Sequence, residues 1–352
     1  MKKCFAMLLA LAMSISLAAC GQGGTPSNSN SGGNAGTNGG SSAAAPSENK
    51  PLTIKLADLN SEQGASGLWC QRIKKSIEDA NVNITVEYYP NGSLVSQDIE
   101  AIQAGICDMM MTTFSTAAGI WDPLGAFDAP YIIENTDQAK NIFDYNSAAA
   151  VAMNETLPTL GIRYLGAYYS GGRMTTTTNK AIYSVDDMKS VKFRVVNGDL
   201  WISLFRAFGA EPTPMAMSEV STALVTGVCE GQENPYNAIV SNNLYEIQKY
   251  VIETNHMPAN YPMWINENTF QKMSAEQQQV VIDAVQEAST WNTDRLEEMG
   301  DSDKQTCLDN GMTCISVEDG LDIESFRTAA MTIYDEYADK WGDMPDIIRS
   351  CY

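Results

Sequence analysis

Ser218-Glu219-Val220-Ser221-Thr222-Ala223-Leu224-Val225-Thr226-Gly227-Val228-Cys229-Glu230 repeats, at an offset of 122 residues, the pattern of Ser96-Gln97-Asp98-Ile99-Glu100-Ala101-Ile102-Gln103-Ala104-Gly105-Ile106-Cys107-Asp108. Ser96 and Ser218 are the expected helix N-caps, because a hydroxyl there accepts one of the orphan N–H groups of the first turn. Gly105 and Gly227 are the expected stops, since glycine takes the left-handed turn at low cost. Ile99 and Ile102 in one copy, Val220 and Leu224 in the other, give the helix its apolar face. Ile106-Cys107-Asp108 and Val228-Cys229-Glu230 then read as strands.

Working outward, the two copies extend in the same order. Residues 52–59 have the pattern of a strand, 68–80 that of a helix with Leu68, Trp69, Ile73 and Ile77 inward, and 84–88 that of a second strand. The second copy places a strand at 191–196, a helix at 200–208 and an extended piece at 209–214. Each half is therefore β-α-β-α-β. Such units build a parallel sheet flanked by helices, and two of them make two lobes with a crevice between. Two similar turns inside one large domain is the alternative organisation. Ligands in open sheets of this kind sit beyond the carboxyl ends of the strands. The loops after Leu59, Asp108, Val196 and Glu230 are accordingly expected at the cleft. Ser274 with Gln277 opens a helix long enough to span both lobes. A further helix over 323–341 carries Phe326, Ala330, Ile333, Tyr337 and Trp341 on one stripe, expected to be core.

The amino-terminal residues speak to compartment. Lys2 and Lys3 precede an apolar run over 6–17, and Leu17-Ala18-Ala19-Cys20 closes it as a lipobox. Residues 1–19 are thus expected to be a lipoprotein signal peptide, with acyl chains on Cys20; an ordinary cleaved signal with a coincidental cysteine is the alternative. Residues 20–50 are almost wholly Gly, Ser, Asn, Thr, Pro and Ala after the cysteine and are expected to be a disordered tether. The folded body then lies outside the cytoplasmic membrane, lipid-anchored, on a cell surface or on the periplasmic side.

A formal charge of -21 argues against nucleic acid or anionic lipid as partner, so an anion needs a local cationic site. The single histidine, His256, removes any His-rich metal centre, and no C-x-x-C spacing occurs. No metal and no cofactor are expected, and His256 is read as structural. Cys307 and Cys314 flank a Gly-containing turn, which leaves a disulfide between them open.

Several runs carry a family resemblance: Gly172-Arg173-Met174-Thr175; Asp186-Asp187-Met188-Lys189-Ser190-Val191-Lys192-Phe193-Arg194-Val195; Gly209-Ala210-Glu211-Pro212-Thr213-Pro214-Met215-Ala216-Met217-Ser218-Glu219-Val220; Gly231-Gln232-Glu233-Asn234-Pro235; and Tyr245-Glu246-Ile247-Gln248-Lys249-Tyr250 through Thr254-Asn255-His256. Together they resemble the solute-binding subunits of TRAP (tripartite ATP-independent periplasmic) transporters, the DctP family. The resemblance implies an α/β, two-lobed, periplasmic-binding-protein-like fold, with lobe I at 51–170 plus 261–299 and lobe II at 171–260 plus 300–352. It implies capture of a small organic acid by cleft closure and delivery to TRAP membrane subunits, without catalysis. C4-dicarboxylates, sugar acids and sialic acids are all candidate ligands.

Carried over residue by residue, Arg194 looks like the main carboxylate clamp, Arg173 a second arginine near the ligand, and Asn234 a contact from the Gln-Glu-Asn-Pro turn. Met217 stands where sialic-acid-binding members have phenylalanine. Asn197 is a further candidate contact, preceded by Val196 where relatives have proline. Ligand identity is expected to be read by first-lobe loops near Asn60, Trp69 and Thr113 to Ser115. From the strand pattern alone, Arg194 stays open between a solvated surface arginine and an anion ligand, since it shares a face with Lys192. Its planar fork nevertheless suits a carboxylate as lysine does not. A lipid-anchored surface hydrolase using Glu230, Glu233 or Asp108 as acid and base, and a sensor presenting ligand to a signalling protein, are the alternative functions.

Overall fold

A computed structural model of the chain describes residues 48–95 and 99–352. The expected signal peptide, Cys20, the tether up to residue 47 and the Ser96 cap lie outside the described residues. Eleven described strands form two sheets. The first contains β1 (Leu52–Ala57), β2 (Ile84–Tyr89), β3 (Met109–Met111) and β4 (Ile162–Gly172). The second contains β5 (Met174–Thr177), β6 (Lys192–Val195), β7 (Glu211–Pro214), β8 (Gly231–Asn234) and β9 (Tyr250–Ile252). The chain then returns to the first sheet as β10 (Pro258–Asn266) and to the second as β11 (Thr313–Ile315). The strand orders are β2-β1-β3-β10-β4 and β11-β9-β5-β8-β6-β7.

The repeat is real, and it is displaced. In the first sheet β1 pairs in parallel with both β2 and β3; in the second β6 pairs in parallel with both β7 and β8. The two sheets thus hold one unit twice. Each copy closes its helix with a left-handed glycine, Gly105 at φ +71° and Gly227 at φ +73°. The next N–H returns to the helix in both, Ile106 to Ala101 at 3.0 Å and Val228 to Ala223 at 2.9 Å. Both tripeptides expected to be strands, 106–108 and 228–230, are instead the lead-in. The ladders begin three residues later, at Met109 and Gly231; just before them Asp108 and Glu230 donate their own N–H to the carbonyls of Lys55 and Lys192 and accept those residues' N–H on their carboxylates.

Two further corrections concern caps and strand direction. Ser218 is not an N-cap: the helix Met217–Val225 is capped by Ala216, whose N–H donates to Glu219 at 3.1 Å. A glutamate at the third helical position supplies the reciprocal half of a capping box without any hydroxyl. The sheets are mixed, not wholly parallel, since β10 runs antiparallel to β3 and β5 antiparallel to β8. Those strands, β5 and β10, each follow directly on a short crossing between the sheets; a third crossing, from β10 to β11, runs through the helices between them. One short crossing is a single residue, Arg173, between β4 and β5; the other is 253–257, between β9 and β10.

The long helix is Ala275–Asp309, 35 residues or about 52 Å. Ser274 caps it as expected, accepting from the N–H of Gln277. Its first half lies on the first sheet, where Gln286 donates to the Leu165 carbonyl and Thr293 accepts from the Tyr169 N–H. Its last turns reach the second, with Lys304 on Glu253 at 2.7 Å and Cys307 in the core there. Cys307 and Cys314 are both thiols. The helix Ile323–Trp341 buries all five stripe residues.

Gly231 shows how tightly the second sheet is packed. A β-carbon at that position would stand 2.5 Å from the Phe193 ring and 2.8 Å from the Thr176 carbonyl oxygen. Phe193 therefore occupies the room a side chain would need. Gly231→Ala is expected to cost about 1–3 kcal/mol of stability, read as a lower urea midpoint. An unchanged midpoint would mean that strand and ring yield without strain.

Candidate functional site

A cavity of about 350 Å³ opens between the two sheets. It is walled by the expected carboxyl ends: Leu59 and Asn60 after β1, Thr112 and Thr113 after β3, Val196 and Asn197 after β6, and Asn234 and Asn237 around the end of β8. Arg194, Arg173, Asn234, Asn197 and Met217 all line it. Of the first-lobe loop residues, Asn60 and Thr113 line it, but Trp69 does not. Trp69 is fully buried in the core of the first sheet, edge-on to Tyr168 at 4.8 Å. Trp69 packs from its helix onto the first sheet, away from the crevice.

Arg194 is 3 % exposed, so it is not a solvated surface arginine. Lys192 sits on the same face but at the open amino end of β6, and is exposed; two residues on, that face turns into the cavity. The Arg194 guanidinium has no carboxylate partner among the described residues. Its Nε and Nη2 both donate to the Met215 carbonyl, at 3.1 and 2.9 Å, and Nη1 is buried with no hydrogen-bond partner among the described residues. Burial pushes its pKa below the ordinary arginine value, with Glu233 acting against that shift and Arg173 adding to it. A desolvated cation in this condition gains more from an incoming anion than an exposed one does.

Arg173 is equally buried, yet already neutralised. Its Nε donates to Glu233, and its Nη2 donates to Glu233 Oε1 at 3.0 Å, to the Glu233 carbonyl at 3.1 Å and to Asn234 Oδ1 at 3.0 Å. The guanidinium also lies over the Trp201 ring at 4.8 Å. Burial alone would raise the Glu233 carboxyl, but the Arg173 charge and His256 outweigh it and hold the pKa below the usual range. His256 is fully buried, with Nδ1 at 2.9 Å from the Thr254 hydroxyl and Nε2 at 3.6 Å from Glu233. Burial pushes its pKa below the ordinary histidine value, against the hydrogen bond and charge of Glu233.

Sequence reasoning missed four participants. Trp201 lines the cavity from the helix after β6, with its indole Nε1 unpartnered among the described residues. Tyr261 and Asn260 arrive on β10, and Asp128 at the end of the 3-10 turn Asp122–Asp128. Asp128 is buried; desolvation pushes its carboxyl up to about 6, against hydrogen bonds from Ser115 and the Arg173 charge. Only Trp201 had a usable signal, its place one turn beyond a cleft-facing loop. Of the carboxylates weighed for a hydrolase, Asp108 and Glu230 do not line the cavity, and Glu233 is committed to Arg173. No group of three or more potential metal ligands occurs among the described residues.

The family model for bacterial extracellular solute-binding protein, family 7, matches residues 56–340. The chain belongs to that family. Its members here are TRAP solute-binding subunits. A solute-binding protein of Roseobacter denitrificans is 32% identical over 271 residues, covering 76% of this chain and 82% of its own. The sialic acid-binding periplasmic protein SiaP of Vibrio cholerae is 28% identical over 306 residues, covering 84% and 91%. Among solved family 7 structures, a TRAP periplasmic solute-binding protein from Haemophilus influenzae with bound L-gulonate superposes with a TM-score of 0.77 at 26% identity, covering 85% of this chain and 98% of that one. One from Roseobacter denitrificans with bound L-galactonate gives 0.74 at 29%, covering 86% and 99%. The two-lobed fold is common to this chain and these solved structures. No helix among the described residues is long and apolar enough to cross a membrane.

Proposed function

We propose that this chain captures a small organic acid in the cavity between its sheets, returns it unaltered, and delivers it to TRAP membrane subunits. One observation carries the reading: Arg194 is a buried guanidinium on the cavity wall with no carboxylate partner and one unpaired nitrogen among the described residues. The ligand carboxylate sits on Arg194, and Arg173 and Asn234 hold the near side. Asn197 and Met217 contribute to the wall facing the rest of the molecule. Lobe I, 51–170 plus 261–299, and lobe II, 171–260 plus 300–352, close over the acid by bending at Arg173 and at 253–257. Closure is favoured only so far as the ligand binds the closed form better than the open one. Cys20 carries the lipid anchor, and the Gly- and Ser-rich tether lets the body reach its membrane partner.

A thermal-shift screen of organic acids, each beside its neutral alcohol analogue, tests this reading. A ligand at 100 times its Kd adds about 2.7 kcal/mol, which moves the melting temperature by several degrees. At least one acid is expected to do so while its alcohol does not, and the acid is recovered unchanged. A panel in which no acid outperforms its alcohol, or in which the acid is consumed, rejects the proposal.

A further inference from the structure

The two walls of the cavity differ in what they leave unsatisfied. On the side of the second sheet the free groups are donors: Arg194 Nη1 on β6, and Trp201 Nε1 on the helix that follows it, both buried and unpartnered among the described residues. On the side of the first sheet they are acceptors. Asn260 Nδ2 donates to the Phe127 carbonyl at 2.7 Å, which fixes the amide and leaves Oδ1 buried with no partner among the described residues. Asp128, the residue after Phe127, takes its hydrogen bonds from the Ser115 N–H and Oγ on one oxygen, Oδ2, at 2.8 and 2.7 Å. Asp128 lines the cavity, and its Oδ1 takes no part in those two bonds.

We infer that Asp128, with Asn260 beside it, determines specificity by accepting from ligand hydroxyls and repelling a second carboxylate, so that the ligand is a hydroxylated monocarboxylate and not a dicarboxylate. This rests on the reading of the cavity as an organic-acid site. An acid lying across a space of about 350 Å³ with one end on Arg194 presents its other groups to the opposite wall. A hydroxyl there supplies the proton each acceptor lacks. A carboxylate supplies none and adds like charge at short range in a site with little water to screen it. The only other cation on the cavity wall among the described residues, Arg173, is held by Glu233 and is not free to neutralise a second anion.

Asp128 also has a structural reading, as the acceptor for the first turn of the helix Phe114–Ala117, and the test must separate the two. Calorimetry at neutral pH is run on matched pairs: L-gulonate, L-galactonate and D-erythronate, each against the dicarboxylate formed by oxidising its terminal hydroxymethyl group. In the wild type the tightest monocarboxylate is expected to bind at least 100-fold better than its dicarboxylate twin. Asp128→Asn should shrink that ratio tenfold or more by strengthening the dicarboxylate, whereas Arg194→Lys should weaken both twins and leave the ratio in place. A structural role alone would lower the melting temperature of Asp128→Asn without moving the ratio. The inference is overturned by a wild-type ratio under tenfold, which needs no variant to fold, or by an unchanged ratio in Asp128→Asn. Loss of binding by every acid in the wild type would reject the organic-acid reading itself, and this inference with it.

Discussion

Arg194→Met is expected to destroy ligand binding while leaving the empty protein close to wild-type stability. The binding loss should be about 2–5 kcal/mol, roughly 30-fold to several thousand-fold, as for other charge pairs truncated at desolvated sites. The stability expectation follows from what Arg194 does without ligand. A buried guanidinium with only a carbonyl for partner contributes little to folding, and replacing buried charge with an apolar side chain of similar volume is often neutral or stabilising. Against that gain stands the Met215 carbonyl, which loses both its donors and about 1–3 kcal/mol of satisfaction. The two terms oppose and are of like size, so the net change should stay within about 2 kcal/mol. Arg194→Lys keeps a charge but not the fork, and should also bind markedly more weakly. Calorimetry with the best acid from the screen, beside urea unfolding of the apo protein, reads both halves. Unchanged affinity would remove Arg194 from the site. A loss of stability well beyond 2 kcal/mol would make it a core residue first.

How far this site could be seen in the sequence depends on the range of the forces involved. The repeat was legible because its markers act locally: a glycine at φ above zero and apolar residues at helical spacing each shape the chain within one turn, so Gly105 and Gly227 fell where expected. The long helix and the Ile323–Trp341 helix were legible for the same reason. What failed was decided either by a near neighbour that displaced the expected residue or between segments far apart in sequence. Ser218 was a sound local candidate, but Glu219 reaching back to Ala216 won, and nothing in the serine announces that. Just before β3 and β8, Asp108 and Glu230 meet Lys55 and Lys192 across the sheet. The antiparallel strands arise because the chain crosses between sheets at Arg173, a topology that helix and strand periods do not encode.

Electrostatic partners were the least visible layer. Arg194 and Arg173 read alike along the chain, yet one is open for an anion and the other is consumed by Glu233, 60 residues away. Asp128 carried no signal at all, sitting in an acidic sequence where one more aspartate means nothing until Ser115 and Asn260 are brought beside it. The family resemblance supplied which residues to watch; the physical distinction between them needed the fold.

That distinction gives the second large effect. Glu233→Gln should destabilise the apo protein by about 3–5 kcal/mol at pH 7, because it leaves the Arg173 guanidinium buried without its anion, and breaking one half of a buried pair costs far more than the pair contributes. The penalty is large for a change of one atom. The crossing between the sheets is pinned there, with Arg173 donating its own N–H to the Met257 carbonyl of the other crossing at 2.9 Å. Its pH dependence follows from the direction of the Glu233 shift. The folded carboxyl binds its proton more weakly than the unfolded one, whose value is near 4.5, so its contribution is complete above that pH and disappears as pH falls through the lower folded value. Once protonated, the wild-type side chain is a neutral hydrogen-bonding group much like glutamine. The gap between wild type and Glu233→Gln should therefore be constant from about pH 7 down to 5 and close in more acid solution. Taking the difference between the two proteins cancels Asp128, whose raised pKa works in the opposite sense in both. Urea unfolding at a series of pH values measures the gap directly. A gap that is small at neutral pH, or that persists unchanged into acid, would show that Arg173 is balanced by something other than Glu233.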